Sequence, residues 1–380
     1  MKHKMRRRAP KSSGTFREQH TRLLLSSAAL LGALTAYGRS AHAVCDTTNA
    51  PVVVCSGAQL NAPELFSYEN AAVSTEDNFG GVVVTTGGNA ITITGDGAIS
   101  YIDEYSSPLA ASGSNNSIAL SVTAEGDIVN GNEGSVTIET GGVLSGTQRG
   151  IYARNRGSGD TSVTANGTVT AARQSAIFAQ HAGNDLTITT GADSDVSGDD
   201  DGVRARNLGS GDTLVTANGR VTGTANASRG IDARNGSTNT TAGRNLTVST
   251  GTDSMVSART IGVRAENFGT GDTTVTANGN VAGTSNGSRG IEAHNGSDAQ
   301  NITVTTGVDT TVTGGRTGIS AANYGTGDTA VIVNGNVEVT AGGAQSRGIN
   351  AQNGITPNTA GQALTVTTAA GTMVSASSWS

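Results

Sequence analysis

Few residues in this chain have types and spacings that could do chemistry. Gly283, Ser285 and Gly287 match the G-x-S-x-G spacing of a serine nucleophile. Such a serine becomes reactive on a strained strand-to-helix elbow, beside a base. Here the match falls between two short strands of a chain with 54 glycines, and it reads as a turn. Beyond residue 43 the only candidate bases are His181 and His294. Carboxylates offer more: Asp199, Asp200 and Asp201, with Asp193 and Asp195 just before them, present hard oxygen ligands suited to Ca²⁺. The same group could form the acidic cleft of a polysaccharide-cleaving site. Such clefts also need aromatic and basic residues, whereas aromatics make up 3% of this chain and its last lysine is Lys11. A solvated acidic turn is the simpler reading. No catalytic residue and no cofactor is assigned, and an enzyme is not expected.

The elements that carry these residues are set by a repeat. Between Gly150 and Ala351 a small residue is followed eight times by Ile or Val, any residue, and Ala. The copies begin at Gly150, Ala176, Gly202, Gly230, Gly262, Gly290, Gly318 and Gly348, so the period is 26 to 32 residues. Periods in this range mark solenoids, whose units bury their apolar faces only by stacking. One column runs Ile151, Ile177, Val203, Ile231, Val263, Ile291, Ile319, Ile349, and a second runs Ala153, Ala179, Ala205, Ala233, Ala265, Ala293, Ala321, Ala351. Apolar residues two apart read as a strand with one buried face. A second strand holds Val163, Ile188, Val215, Val248, Val275 and Val304, and a third is centred on Val169, Val196, Val221, Val256, Val281, Val312, Val337 and Val374. Three short strands per coil of roughly 28 residues predict an all-β, right-handed parallel β-helix.

Asparagine ends the first strand at Asn155, Asn207, Asn235, Asn267, Asn295, Asn323 and Asn353, with His181 taking the place in the second copy. Asn tolerates the bend, and stacked amides are expected to bond one another as a structural ladder. Between the Ile/Val and Ala columns lie Arg204, Asp232, Arg264 and Glu292, so alternating charges should pair up the stack, each exposed pair contributing about 0.2–1 kcal/mol. Gly-Asp pairs at Asp160, Asp212, Asp272 and Asp328 read as turn formers, with weak Ca²⁺ binding a minor option. Arg156, Leu208, Phe268 and Tyr324 follow the Asn in alternate coils, either packing under their own turns or forming a stripe for a partner.

Residues 1–43 differ from all this. A basic region precedes an apolar run over residues 23–36, which ends near Ala41 and Ala43 in an A-x-A pattern. That is the layout of a secretory signal peptide cleaved after Ala43. The segment holds nine of the 24 basic residues and one of the 30 acidic ones, leaving 15 against 29 and a net charge of −14. A nucleic-acid partner is therefore not expected, since phosphate binding needs a positive footprint. Cys45 and Cys55, the only cysteines, should form one disulfide in an exported chain. Residues 44–149, with three of the five prolines, read as an N-terminal cap and irregular first coils, and 150–380 as regular repeats. In the former, the segments around Ile91, Leu120 and Val136 look like second strands, and the one around Val83 like another buried strand.

The signal peptide, the cysteine pair directly after it, and recurring blocks such as residues 229–235 and 271–279 together resemble the passenger region of an autotransporter, a type V secreted protein of Gram-negative bacteria. The resemblance covers the mature chain. It implies a surface rod held by a C-terminal outer-membrane barrel and serving cell adhesion, aggregation or virulence, with host-cell molecules, matrix molecules or other copies of itself as partners. The chain departs from that family in having no ~10-residue alternating strands with aromatic girdles, and it stops at Ser380. A truncated frame or fragment is the expectation, its membrane link lying only in the missing barrel. Without a barrel the chain would be periplasmic or secreted. The alternatives are a β-helical polysaccharide-acting enzyme and an inactive exported fragment.

Overall fold

The computed structural model describes residues 44–126, 133–237, 243–342, 345–354 and 362–376. The expected signal segment and the closing Trp379 lie outside them. Among the described residues the regular structure is entirely strand, and each coil gives one strand to each of three sheets. Sheet 1 stacks eleven strands, from Glu64–Ser67 to Arg347–Asn353. Sheet 2 stacks thirteen, from Val44–Asp46 to Leu364–Thr368, and sheet 3 stacks eleven, from Val82–Val84 to Val374–Ala376. All neighbours are parallel except the first pair of sheet 2. This is the parallel β-solenoid expected from the repeat, and eleven strands at a spacing of ~4.8 Å give a stack of roughly 48 Å.

The apolar columns are the core. Ile151 sits over Ile177, then Val203, Ile231, Val263, Ile291 and Ile319, all with no exposed surface. The valines of sheet 3 from Val169 to Val337 are equally buried. Stacked β-branched residues fill this narrow prism, while rings join the core in the first coils at Phe66, Phe79 and Tyr101. The glycine before each Ile/Val occupies the corner where sheets 1 and 3 meet. A Cβ on Gly262 would stand 2.5 Å from Val281 Cγ1, and Gly150, Gly202, Gly230, Gly290, Gly318 and Gly348 each face the corresponding valine in the same way. The motif therefore begins with a small residue: glycine in seven copies, where a Cβ would meet the valine, and in the second copy Ala176, whose methyl is fully buried.

Successive coils are not equivalent. At the corner between sheets 2 and 3, Thr190, Thr250 and Thr306 alternate with Ala165, Ala217, Ala277 and Val333. Each threonine hydroxyl accepts backbone N–H groups from the Asn-Gly turn of the next coil: Asn218 on Thr190 (3.3 Å), Gly279 on Thr250 (3.0 Å) and Gly335 on Thr306 (3.1 Å). The structural unit is thus a pair of coils.

The first coils correct one expectation. Ile91–Gly95 and Ile118–Ala124 belong to sheet 1, with Leu120 in the Ile column and Val122 in the Ala column; only Ser135–Thr140 of the three is a second strand. An Ile-x-Ile alternation fits any of the three sheets, and these strands lack the flanking Gly and Asn that identify the first. Val82–Val84 is buried, in sheet 3. Stacking thus reaches back to Glu64 in sheet 1 and to Val52 in sheet 2, well before Gly150. At the N-terminal end Val44–Asp46 runs antiparallel to Val52–Ser56, which sets Cys45 opposite Cys55, and the two form a disulfide. In the last described coil, Leu364 and Val366 are 48% and 47% exposed.

Candidate interaction face

The asparagine column stands in register, Asn207 over Asn235 over Asn267 over Asn295, but its amides do not bond one another. Each staples the turn that follows it. Asn155 Nδ2 donates to the carbonyls of Gly159 (3.1 Å) and Asp160 (3.3 Å), while Gly157 N donates to its Oδ1 at 2.7 Å. Asn207, Asn267 and Asn323 repeat that pattern and add a bond to the preceding coil, to the carbonyls of Asn184, Arg244 and Gln300. Asn235, Asn295 and Asn353 hold carbonyls of longer turns, those of Asn245, Gln300 and Ala363. Buried main-chain carbonyls need a donor, and here they take precedence over an amide-to-amide ladder. His181 sits in the column fully buried, its Nδ1 2.8 Å from Thr161 Oγ1. Burial lowers its pKa to about 4 against the upward pull of Asp160.

A true inter-coil ladder runs instead just before the sheet 2 strands, and the sequence reading missed it. Asp160 Oδ1 accepts Asp185 N (3.1 Å), Asp185 accepts Asp212 N (2.8 Å), Asp212 accepts Asn245 N (3.0 Å) and Asn245 accepts Asp272 N (3.0 Å). The chain continues through Asn301, Asp328 and Ala363. Read as turn formers, the Gly-Asp carboxylates are half of this ladder, and the signal for the rest was the Asp or Asn directly before each second strand. An open groove of about 460 Å³ lies here, lined by Asp185, Asp212, Asn245, Asp272 and outward threonines of sheet 2.

The three candidate Ca²⁺ ligands do not act together. Asp201 is 1% exposed and opens the sheet 1 strand Asp201–Asn207, while Asp199 lies beside Thr224 in the preceding turn and Asp200 next to it. Asp201 accepts Arg229 N (3.1 Å) and pairs with Arg204 at 3.3 Å and Arg229 at 3.8 Å. Burial, then the Asp232 charge, pushes its carboxyl up to about 6 against those arginines. This corrects the solvated-turn reading for Asp201. Among the described residues no three His, Cys, Asp or Glu side chains are grouped to hold a metal ion. Ser285 lies in the turn between Asn280–Gly283 and Arg289–Asn295, as its sequence setting indicated.

The outer face of sheet 1 is where charge and rings converge. Asp232, 4% exposed, meets Arg204 at 3.3 Å, Arg229 at 3.4 Å and Arg264 at 3.7 Å. The expected alternation up the stack is present, but as a packed cluster rather than exposed pairs. Arg264 bridges to Glu266, which also takes Arg234, and Glu292 turns to Arg289 of its own strand at 3.6 Å. Toward the C-terminal coils the His294 ring lies edge-on between Phe268 (5.8 Å) and Tyr324 (4.9 Å), and Arg234 stands over Phe268 at 5.3 Å. The post-Asn rings therefore join the sheet 1 face. Burial lowers the His294 pKa, while Glu266 and Glu292 pull it upward. At the other end Tyr152 and Phe178 stack at 5.7 Å under Arg149. One sheet thus presents a continuous belt of arginine, carboxylate and ring. No family model, no curated protein and no solved structure matches this chain.

Proposed function

We propose that this chain is the displayed rod of an autotransporter-like surface protein, exported by its N-terminal signal, and that it adheres through the outer face of sheet 1. The observation that carries this reading is the belt itself: interlocked arginines, acids and rings extending from Tyr152 to Tyr324 along one side of a regular solenoid. Aromatic residues and Arg are the types that anchor recognition surfaces. A solenoid offers such a surface over many coils without a folded pocket. On the opposite account, a polysaccharide-cleaving site would lie in the sheet 2 groove, yet its carboxylates Asp185, Asp212 and Asp272 each hold a main-chain N–H of the next coil. That use commits an oxygen of each carboxylate to the main chain, coil after coil, and argues for a scaffold.

The test is antibody labelling of intact producing cells, with and without external protease. Surface label that protease removes is the expected result. Label that appears only after the envelope is permeabilised would overturn display. Binding of the purified chain to cells should fall in an Arg234→Ala/Phe268→Ser/Tyr324→Ser variant that keeps its melting temperature.

A further inference from the structure

In the coils from Arg149 to Asn207, three arginines of the sheet 1 face lack the carboxylate partners that the central cluster has; Arg347, in the last sheet 1 strand, is likewise without an ion pair among the described residues. Arg204, Arg229, Arg234, Arg264 and Arg289 all pair with Asp or Glu, whereas Arg149, Arg154 and Arg206 form no ion pair among the described residues. Two of them share one column: Arg154 stands in register with Gln180 on the next coil, and Gln180 with Arg206 on the one after, while Arg149 opens the strand that carries Arg154. Within the strands Arg149–Asn155, Ile177–His181 and Asp201–Asn207 the only acid is Asp201, already taken by Arg204, Arg229 and a main-chain N–H.

The positive charge is also held in place. Arg149 lies over the Tyr152 and Phe178 rings at 5.2 and 4.7 Å, so rings rather than a carboxylate fix its guanidinium. One arm of its fork also donates to Gln148 Oε1 at 3.4 Å and the Asp200 charge acts on it from nearby, so the fork is committed only in part and the remaining N–H groups can meet a ligand. The Nε atoms of Arg149 and Arg206 are buried without a hydrogen-bond partner. Arg206 also feels like charge: after burial, Arg204 and Arg234 act to lower its pKa, against the opposing pull of Asp232 and Asp201. An anion placed here would relieve that repulsion.

We propose that Arg149, Arg154, Gln180 and Arg206 bind an anionic polysaccharide lying along the rod axis. The inference rests on the reading of sheet 1 as the adhesive face. Arg154 and Arg206 are two coils apart, roughly 10 Å along the stack, and Gln180 between them adds a neutral donor and acceptor. A sugar residue advances a linear glycan by about one coil step, so carboxylates or sulfates on alternate sugars meet successive arginines. Guanidinium forks recognise both groups bidentately. A nucleic-acid duplex is a poorer fit, because the strip is one sheet wide and an acidic column runs beside sheet 2 at Asp160, Asp185, Asp212, Asp272 and Asp328.

The experiment measures binding of the purified chain to immobilised heparin and polygalacturonate at about physiological salt. The expected result is retention on at least one glycan, salt-sensitive, and weakened roughly tenfold in an Arg154→Gln/Arg206→Gln variant of unchanged melting temperature. Arg206→Lys, which keeps the charge, should recover part of the affinity, and Asp185→Asn/Asp212→Asn on sheet 2 should not reduce it. No retention of the parent chain, equal retention of the double variant, or equally strong capture of a short DNA duplex would each overturn the proposal. So would a concentration-dependent dimer that the same variants dissolve, which would assign the strip to a second copy. Surface labelling of intact cells is independent of all these outcomes, so the rod reading can stand where the glycan falls.

Discussion

A buried histidine and a buried aspartate respond to acid in opposite directions. His181 has a folded pKa of about 4 against an ordinary 6.5, so the unfolded chain binds the proton more readily between those values. Its contribution to stability is complete above pH 6.5 and is lost as the pH falls toward 4, by up to roughly 3 kcal/mol. Asp201 has a folded pKa raised to about 6, so its contribution is complete below the ordinary carboxylate value and is lost as pH rises through 6. Comparing pH profiles of melting temperature for the parent, His181→Asn and Asp201→Asn separates the two. His181→Asn restores the residue used in the other coils and should flatten the acid-side decline. Asp232 is a larger matter. Surrounded by Arg204, Arg229 and Arg264, it is no exposed partner, and Asp232→Arg should cost about 3 kcal/mol or more, read by denaturant unfolding. An unchanged midpoint would show that the cluster contributes nothing.

At the level of strands and turns, the parts legible in the sequence were those where a corner of the prism admits one residue type. Gly262 is written into the motif because Val281 leaves no space for a Cβ, and Asn267 because the turn carbonyls of Gly271 and Asp272 need a donor. Gly262→Val should therefore destabilise by ~1–3 kcal/mol through overpacking. Thr250→Val, which is nearly isosteric, should cost about 1–3 kcal/mol because Gly279 N loses its acceptor. Thermal melts of the two variants check both. Illegible were features that depend on which coil lies above which. The burial of Asp201 and Asp232 comes from long arginine side chains of adjoining coils, and no period within one coil reports it. The Asp/Asn ladder was hidden for the same reason: its bonds join residues such as Asp212 and Asn245, which are 33 positions apart. Strands Ile91–Gly95 and Ile118–Ala124 were misassigned because alternation fixes a strand's faces and leaves its sheet open.

Across the whole solenoid, the pairing of unlike coils sets a rule for altering its length. Deleting residues 263–318 joins Gly262 to Ile319, both followed by an Asn, a ring and a Gly-Thr-Gly-Asp turn, and leaves the alternation of Thr and Ala corners intact. Deleting only 263–290 would set the Thr306 coil on the Thr250 coil, threonine facing threonine with no Asn-Gly turn to receive it. The two-coil deletion should melt near the parent, and the shorter one-coil deletion well below it; the reverse order would remove the coil pair as the unit of stability. The gene carries the same parity. Residues 211–219 and 271–279 agree at eight of nine positions and lie two coils apart, so unequal recombination between their codons adds or removes one matched pair. Changes of length by that route come in increments of about 10 Å, and variants of intermediate length should fail at folding.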